Sequence, residues 1–257
     1  MSLVTPPPAR DHTVRDLAFR SFSTRRPGAR VCVLVHGIGM SHRYLTRLHA
    51  ELARDAEVHS VDLPGFGGLP KPRRSVGVNE MARALGSVLD ELGVRRAVLI
   101  GHSMGAQWVV EVGVQRPDLA EAIVTIGPVT DDRRRNGIVQ ALLLARDSAL
   151  EPPRSNAIVL TDYARCGPVW YARQTRPMLT YPIEDRVTLL AAPLLVIRGG
   201  QDPIARQGWA QRLSARAAAG SLAVVPGHRH LVQDTAASQV ADEVRAFLTR
   251  RMSSTAA

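Results

Sequence analysis

Three short segments hold residue types that could together cleave an acyl bond. Residues 101 to 105 read GHSMG and set Ser103 between two glycines; residues 198 to 204 read RGGQDPI and offer Asp202; residues 224 to 234 read VVPGHRHLVQD and offer His228 and His230. A serine hydroxyl is a poor nucleophile at neutral pH until a base takes its proton, and the base works best when a carboxylate fixes its ring. Serine, histidine and aspartate thus have the chemistry for acyl transfer if the fold brings them together.

The surroundings of Ser103 support that reading. GHSMG follows the apolar run AVLI and opens the amphipathic stretch AQWVVEV, which predicts a strand, a tight turn and a helix. A serine lifted from a sheet in this way sits in a strained turn, and neighbouring backbone can pass it closely only where no β-carbon intervenes. Met104 then falls at a helix N-terminus, where partial positive charge favours an oxyanion. A second donor is expected from VHGIG, residues 35 to 39, where the turn after a strand leaves the amide of Ile38 free to face Ser103. His36 in that turn reads as a structural residue that holds the loop.

Asp202 follows the apolar run LLVI and precedes a proline, so it could equally form a turn. Asp131 or Asp132, after IVTIGPVT, is a rival acid at the end of an earlier strand. Of the histidines, His228 falls in the turn material beside Pro226 and Gly227, whereas His230 lies nearer the following helix and is backed by Leu231 and Val232. Reach therefore favours His230 as base, with His228 as the alternative.

These segments need a frame that presents them on one edge. RVCVLVHG, AEVHSVDLPG, RRAVLIGHS, EAIVTIGP, APLLVIRGG and GSLAVVPG are apolar without strict alternation, as parallel strands covered on both faces are. Between them lie helical patterns: YLTRLHAELARD, NEMARALGSVLDELG with Asn79 as N-cap and Gly93 as stop, AQWVVEVGVQRPD, ARQGWAQRLSARAAAG and ASQVADEVRAFLTRR. The succession predicts an α/β fold, a mostly parallel central sheet with helices on both faces. The first 27 residues read as a loose proline-rich start followed by one or two edge strands. The rhythm breaks over residues 129 to 190, a helical, proline-interrupted stretch expected to form a cap insertion over the carboxyl edge of the sheet, where ligands bind in open α/β folds. Residues 1 to 128 and 191 to 257 are then the two parts of the core domain.

Composition narrows the function classes. The chain has 257 residues, a hydrophobic fraction of 45% and a formal charge of +10, nearly all of it arginine because Lys71 is the single lysine. The arginines are dispersed, and the one tight cluster, DDRRRN, carries two aspartates of its own; there is no basic stretch interleaved with aromatics of the kind that stacks bases. A nucleic-acid partner is therefore not expected. No apolar run approaches the roughly 20 residues of a membrane span, and the start lacks the order of a secretory signal, so a cytoplasmic protein is expected. Cys32 and Cys166 are too few and too far apart for a disulfide framework or a metal site, and read as buried small hydrophobes.

Taken together, VHGIG, DLPGFG (62 to 67), GHSMG and GGQDPI resemble the oxyanion loop, the loop after the following strand, the nucleophile elbow and the acid loop of the α/β-hydrolase fold superfamily, over nearly the whole chain. The resemblance implies hydrolysis through an acyl-enzyme, with Ser103 as nucleophile, His230 as base, Asp202 as acid, the amides of Ile38 and Met104 as the oxyanion hole, and no metal or organic cofactor. Its chain order of serine, aspartate and histidine is also the order here, and VPGHRHLVQ is similar to the family's pattern around the catalytic histidine. A serine rather than an aspartate in the elbow points away from the epoxide-hydrolase and haloalkane-dehalogenase branches. Esterases, lactonases, thioesterases and carbon–carbon bond hydrolases stay open; the last commonly have asparagine where this chain has His102. Some members of the fold bind ligands without turnover, but those often lack a triad member or the oxyanion loop.

The expected cap carries Leu142, Leu143, Leu144, Val169, Trp170, Tyr171, Met178, Leu179 and Tyr181. Most of them read as core, but so much apolar material implies a roofed, largely apolar pocket. A small-molecule substrate is expected, an uncharged ester of small or medium size, with Trp170 and Tyr171 as its contacts.

Overall fold

The computed structural model describes residues 7–133, 135–137, 143–144, 146–147 and 150–255. Eight strands form one sheet: β1 (Ala9–Val14), β2 (Leu17–Thr24), β3 (Val31–Val35), β4 (Glu57–Asp62), β5 (Ala97–His102), β6 (Ala120–Ile126), β7 (Leu194–Gly199) and β8 (Gly220–Val225), in the order β1-β2-β4-β3-β5-β6-β7-β8. The β1–β2 hairpin and its join to β4 are antiparallel, and every other pairing is parallel.

Alternate residues of the parallel strands feed two cores, which is why these strands are apolar throughout. Val33, Val35, Leu99, Ile123 and Val196 face one core with α2 (Val78–Glu91), α3 (Gly105–Gln115) and α7 (Gln207–Arg216). Cys32, Leu34, Val98, Ile100 and Ile197 face the other with α1 (Thr46–Leu52) and α9 (Ala237–Thr255). Both cysteines are buried and free. The apolar face of α2 is the one its sequence spacing predicts, but the N-cap is Gly77 rather than Asn79. Val78 and Met81 both pack into the core, so the helix begins two residues earlier and leaves Asn79 exposed in its first turn.

The chain leaves this alternation between β6 and β7. Here lie α4 (Pro153–Cys166), α5 (Pro168–Thr180) and the short α6 (Ile183–Arg186), and α8 (Val232–Thr235) follows β8. The excursion packs over loops that leave carboxyl ends of strands: an added β-carbon at Gly39, after β3, would meet Tyr163 at 2.4 Å, and one at Gly65, after β4, would meet Trp170 at 2.4 Å. Among the described residues, no helix is long and apolar enough to cross a membrane.

Candidate active site

Ser103 directly follows β5 and holds a left-handed backbone with φ of 57°, a strained value for a residue with a side chain. The turn is held by contacts that its glycines permit. A β-carbon on Gly101 would come 2.2 Å from the Gly105 carbonyl oxygen, and one on Gly105 would come 2.4 Å from that of Val35. The α3 helix therefore starts directly against the end of β3, with Ser103 at the top of the sheet.

Asp202 and His230 meet beside it. The Nδ1 of His230 donates to Oδ2 of Asp202 at 2.9 Å, and Oδ1 of Asp202 accepts the amides of Ile204 and Ala205 at 2.8 and 2.9 Å. Burial opposes the Asp202 anion, but the imidazole and these two amides outweigh it and hold its pKa below the usual carboxylate value. For His230, burial opposes the cation; the carboxylates of Asp202, Asp147 and Glu151 outweigh that and raise its pKa above the ordinary histidine value. The Nε2 of His230 is buried and has no partner among the described residues. His230 and Ser103 both line a cavity of about 310 Å³.

The amides of Ile38 and Met104 are likewise without partners among the described residues, although Met104 is fully buried and Ile38 nearly so. Unpaired buried donors beside a nucleophile are what an oxyanion site requires. His36 is neutral and structural: its Nδ1 donates to the Gly37 carbonyl at 2.8 Å, its Nε2 accepts the Leu63 amide at 3.1 Å, and burial keeps its pKa low.

Serine beside histidine beside an acid is not peculiar to this place. Ser21, His12 and Glu91 are joined by bonds of 2.9 Å, and Ser23, His59 and Glu57 by bonds of 2.7 and 3.0 Å. Those serines lie inside β2, Ser21 paired with both β1 and β4 and Ser23 with β4, and Ser21 has no exposed surface. The trio at Ser103 differs in its strained turn, its unpaired amides and its cavity.

The chain belongs to the alpha/beta hydrolase family. That family's model matches residues 32–243. An uncharacterized protein of Mycobacterium tuberculosis is 31% identical over 133 residues, which is 49% of this chain and 39% of that protein, so the matched stretch spans well under half of the relative's length. Among solved structures, a thermophilic esterase from Thermogutta terrifontis superposes with a TM-score of 0.81 at 19% identity, covering 95% of this chain and 98% of its own. An enol-lactonase from Burkholderia xenovorans superposes with a TM-score of 0.80 at 18% identity, covering 93% of this chain and all, 100%, of its own. At these identities the two structures show a shared fold.

In this family member the remaining residues singled out from sequence fall as follows. Asp131 and Asp132 both bind Arg212, at 2.7 and 2.6 Å. His228 is turned to Thr235, its Nδ1 bonded to the hydroxyl at 3.0 Å. Tyr171 lines the 310 Å³ cavity, together with Val129, Leu144, Met178 and Ile204. Trp170 does not line it: the indole is 1% exposed and packs on Gly65 and Phe66. Met178 and Tyr181 are buried, Leu143 and Leu179 half-buried, Val169 exposed, and Leu142 lies outside the described residues.

Three residues at the site escaped sequence reasoning. Asp147 accepts the backbone amide of His230, Glu151 that of Leu231 at 3.1 Å, and Tyr44 binds His102 at 2.8 Å. No motif marks them, because each acts on backbone or on a second side chain. The spacing of Asp147, Glu151 and Ser155, four residues apart, was the one available signal; Ser155 completes the row by donating to Asp234 at 2.6 Å.

Proposed function

We propose that this chain is a serine hydrolase acting on a small or medium, largely apolar carboxylic ester through an acyl-enzyme. In this reading Ser103 attacks the carbonyl carbon as Nε2 of His230 takes its proton, and the amides of Ile38 and Met104 bind the oxyanion. The imidazolium, held by Asp202, then protonates the leaving alkoxide, and a water activated by the same nitrogen releases the acid. No step calls for a metal or an organic cofactor.

The observation that carries the proposal is the state of His230: one ring nitrogen fixed on Asp202 at 2.9 Å, the other buried and without a partner among the described residues, in a residue that lines the same cavity as Ser103. That is the arrangement of a base awaiting a proton donor. The substrate class follows from the lining. Apart from Ser103 and His230 it is Ile38, Val129, Leu144, Tyr171, Met178, Ile204 and other uncharged residues, which favour an uncharged acyl group and offer an acidic one no counter-ion. Residues 129 to 190 act as the cap over this cavity, and Tyr171 as its substrate contact. The esterase and lactonase folds that superpose on this one agree with acyl transfer to water.

The test is a panel of p-nitrophenyl esters of graded chain length, run beside a lactone and a thioester, with wild type and Ser103→Ala. Turnover of a neutral ester that Ser103→Ala abolishes supports the reading. More than about one per cent of the wild-type rate in the alanine variant overturns Ser103 as nucleophile.

A further inference from the structure

Three loops must stay in register for the site just proposed to work: the loop after β3 with the Ile38 amide, the elbow with Ser103, and the loop after β8 with His230. A single buried chain of hydrogen bonds runs through all three. The amide of Gly37 donates to the Tyr44 hydroxyl at 2.6 Å, that hydroxyl meets Nδ1 of His102 at 2.8 Å, and Nε2 of His102 meets the His230 carbonyl at 2.9 Å. Tyr44 and His102 are each 2% exposed, so water does not compete for these groups.

The two ends of this chain fix the proton order along it. A carbonyl oxygen only accepts, so Nε2 of His102 carries a hydrogen and donates to His230. An amide only donates, so the Tyr44 oxygen accepts from Gly37 and its own hydrogen is left for Nδ1. His102 is then neutral, with one donor and one acceptor nitrogen, and every polar group in the chain is satisfied once. A charged His102 would put two donors face to face with Tyr44 and strand the phenol hydrogen in the core. Burial acts the same way and holds the His102 pKa down to about 3, with the neighbouring His230 charge adding to it.

Each contact falls one residue from, or directly on, a group of the proposed mechanism. Gly37 precedes the Ile38 amide, and an added β-carbon at Gly37 would come 2.9 Å from Ser103 Cβ, so that amide turns close above the nucleophile. His102 precedes Ser103. The His230 carbonyl belongs to the peptide that carries the base, whose ring centroid lies 4.8 Å from that of His102.

From this geometry we infer that Tyr44 and His102 are positioning residues, which set the oxyanion loop, the nucleophile and the base at fixed spacing through one ordered hydrogen-bond chain. The inference rests on the serine-hydrolase reading and adds to it two residues that do not line the 310 Å³ cavity proposed to hold the substrate. Misplacement of reacting groups by about 1 Å costs on the order of a hundredfold in rate, so loss of this tie is felt in kcat and hardly in KM.

The experiment uses the full chain and the best ester of the panel, with active sites titrated by a fluorophosphonate so that rates are per reactive serine. Tyr44→Phe removes the hydroxyl and keeps the ring. It is expected to lower kcat per titrated serine by about tenfold or more, with KM changed less than about twofold. A smaller fall, or a lower Tm with kcat per titrated serine unchanged, shows a merely structural role and overturns the inference. Should Tyr44→Phe fail to fold, His102→Gln against His102→Ala decides: the Gln amide reaches toward the His230 carbonyl and is expected to recover part of the kcat that Ala loses, whereas equal rates overturn the inference. A wild-type chain that the phosphonate leaves unlabelled overturns both readings. Ser103-dependent turnover with an unaffected Tyr44→Phe overturns this one alone.

Discussion

Asp147 accepts the backbone amide of His230 at 3.2 Å, across 83 residues of sequence. The carboxylate comes from the excursion between β6 and β7, so the segment that supplies part of the cavity lining also grips the peptide of His230. Glu151 grips the next amide, Arg229 pairs with Asp147 at 3.4 Å, and Asp202 holds the ring. His102 faces it neutral. Burial disfavours the His230 cation, and the negative charges of Asp202, Asp147 and Glu151 outweigh that, so its pKa lies above the ordinary value.

A pH profile follows from that sign. The base works unprotonated, so kcat/KM is expected to rise with pH through the His230 pKa, in a single-proton limb above about pH 6.5. Asp147→Asn keeps an oxygen to accept the His230 amide but removes a charge that favours the imidazolium, and its limb should move to lower pH. For stability the direction is opposite: a raised folded pKa contributes fully below the unfolded value and is lost as pH rises through the folded one. Superimposable limbs for wild type and Asp147→Asn, measured from about pH 5 to about pH 9, would show that the Asp147 charge does not reach the ring.

The frame and the trio at its edge were legible in the sequence because each left a local mark. All six parallel-type apolar runs became strands, for their side chains enter two cores by turns and both must be apolar. Ser103, Asp202 and His230 each follow such a run within five residues. What was illegible depends on distant partners. Trp170 looked like a ligand contact because it is a large aromatic in the excursion, but only the fold reveals that Gly65, 105 positions away, leaves the gap its indole fills. Tyr44 and Asp147 act on groups 58 and 83 residues away, and nothing in their own neighbourhoods distinguishes them. Asn79 misled because capping statistics favour asparagine, while burial of Val78 set the helix start two residues earlier.

The ion pairs of Asp131 and Asp132 with Arg212 separate the candidate acids. Asp202→Asn is expected to lower kcat by about a thousandfold or more, since an amide facing Nδ1 favours the wrong tautomer. Asp131→Asn and Asp132→Asn should cost less than about tenfold, as they loosen contacts to Arg212 and, for Asp131, to the Arg133 amide. Likewise His230→Ala should abolish turnover, and His228→Ala, losing a bond to Thr235 at 3.0 Å, should retain most of it. Comparable losses at Asp202 and Asp131, or an inactive His228→Ala beside an active His230→Ala, would reverse these assignments.

Adjacent aromatics in α5 should behave differently. Trp170 is buried against Phe66, with ring centroids 6.1 Å apart, so Trp170→Ala is expected to destabilise the chain by about 3–5 kcal/mol through the cavity it leaves. Tyr171 lines the 310 Å³ cavity, so Tyr171→Ala is expected to shift preference toward longer acyl chains at a smaller cost in stability. Chemical denaturation and the graded ester panel measure the two effects. A chain-length shift in Trp170→Ala without loss of stability would mean that the indole reaches the substrate.

Acid sensitivity provides a check that does not depend on catalysis. His49 sits between Thr24 and Ser60, with ring nitrogens 2.9 and 2.8 Å from their hydroxyls, and burial, reinforced by the charges of His59 and His42, pushes its pKa down to about 4. His102 is pushed down to about 3. Both bind a proton in the unfolded chain near pH 6.5 and refuse it in the folded one, so their contribution to stability is present above the unfolded value and is lost as pH falls toward the folded value. Each should add a slope of about 1.4 kcal/mol per pH unit between about pH 6 and about pH 4.5. His230 adds little slope there, because with its raised pKa it is protonated in both states over most of that range. Urea unfolding of wild type and His49→Gln at several pH values isolates one of these protons: the variant should be less stable at neutral pH yet lose stability less steeply on acidification. Parallel curves would mean that His49 is protonated in the folded chain after all, with Thr24 and Ser60 both accepting from it.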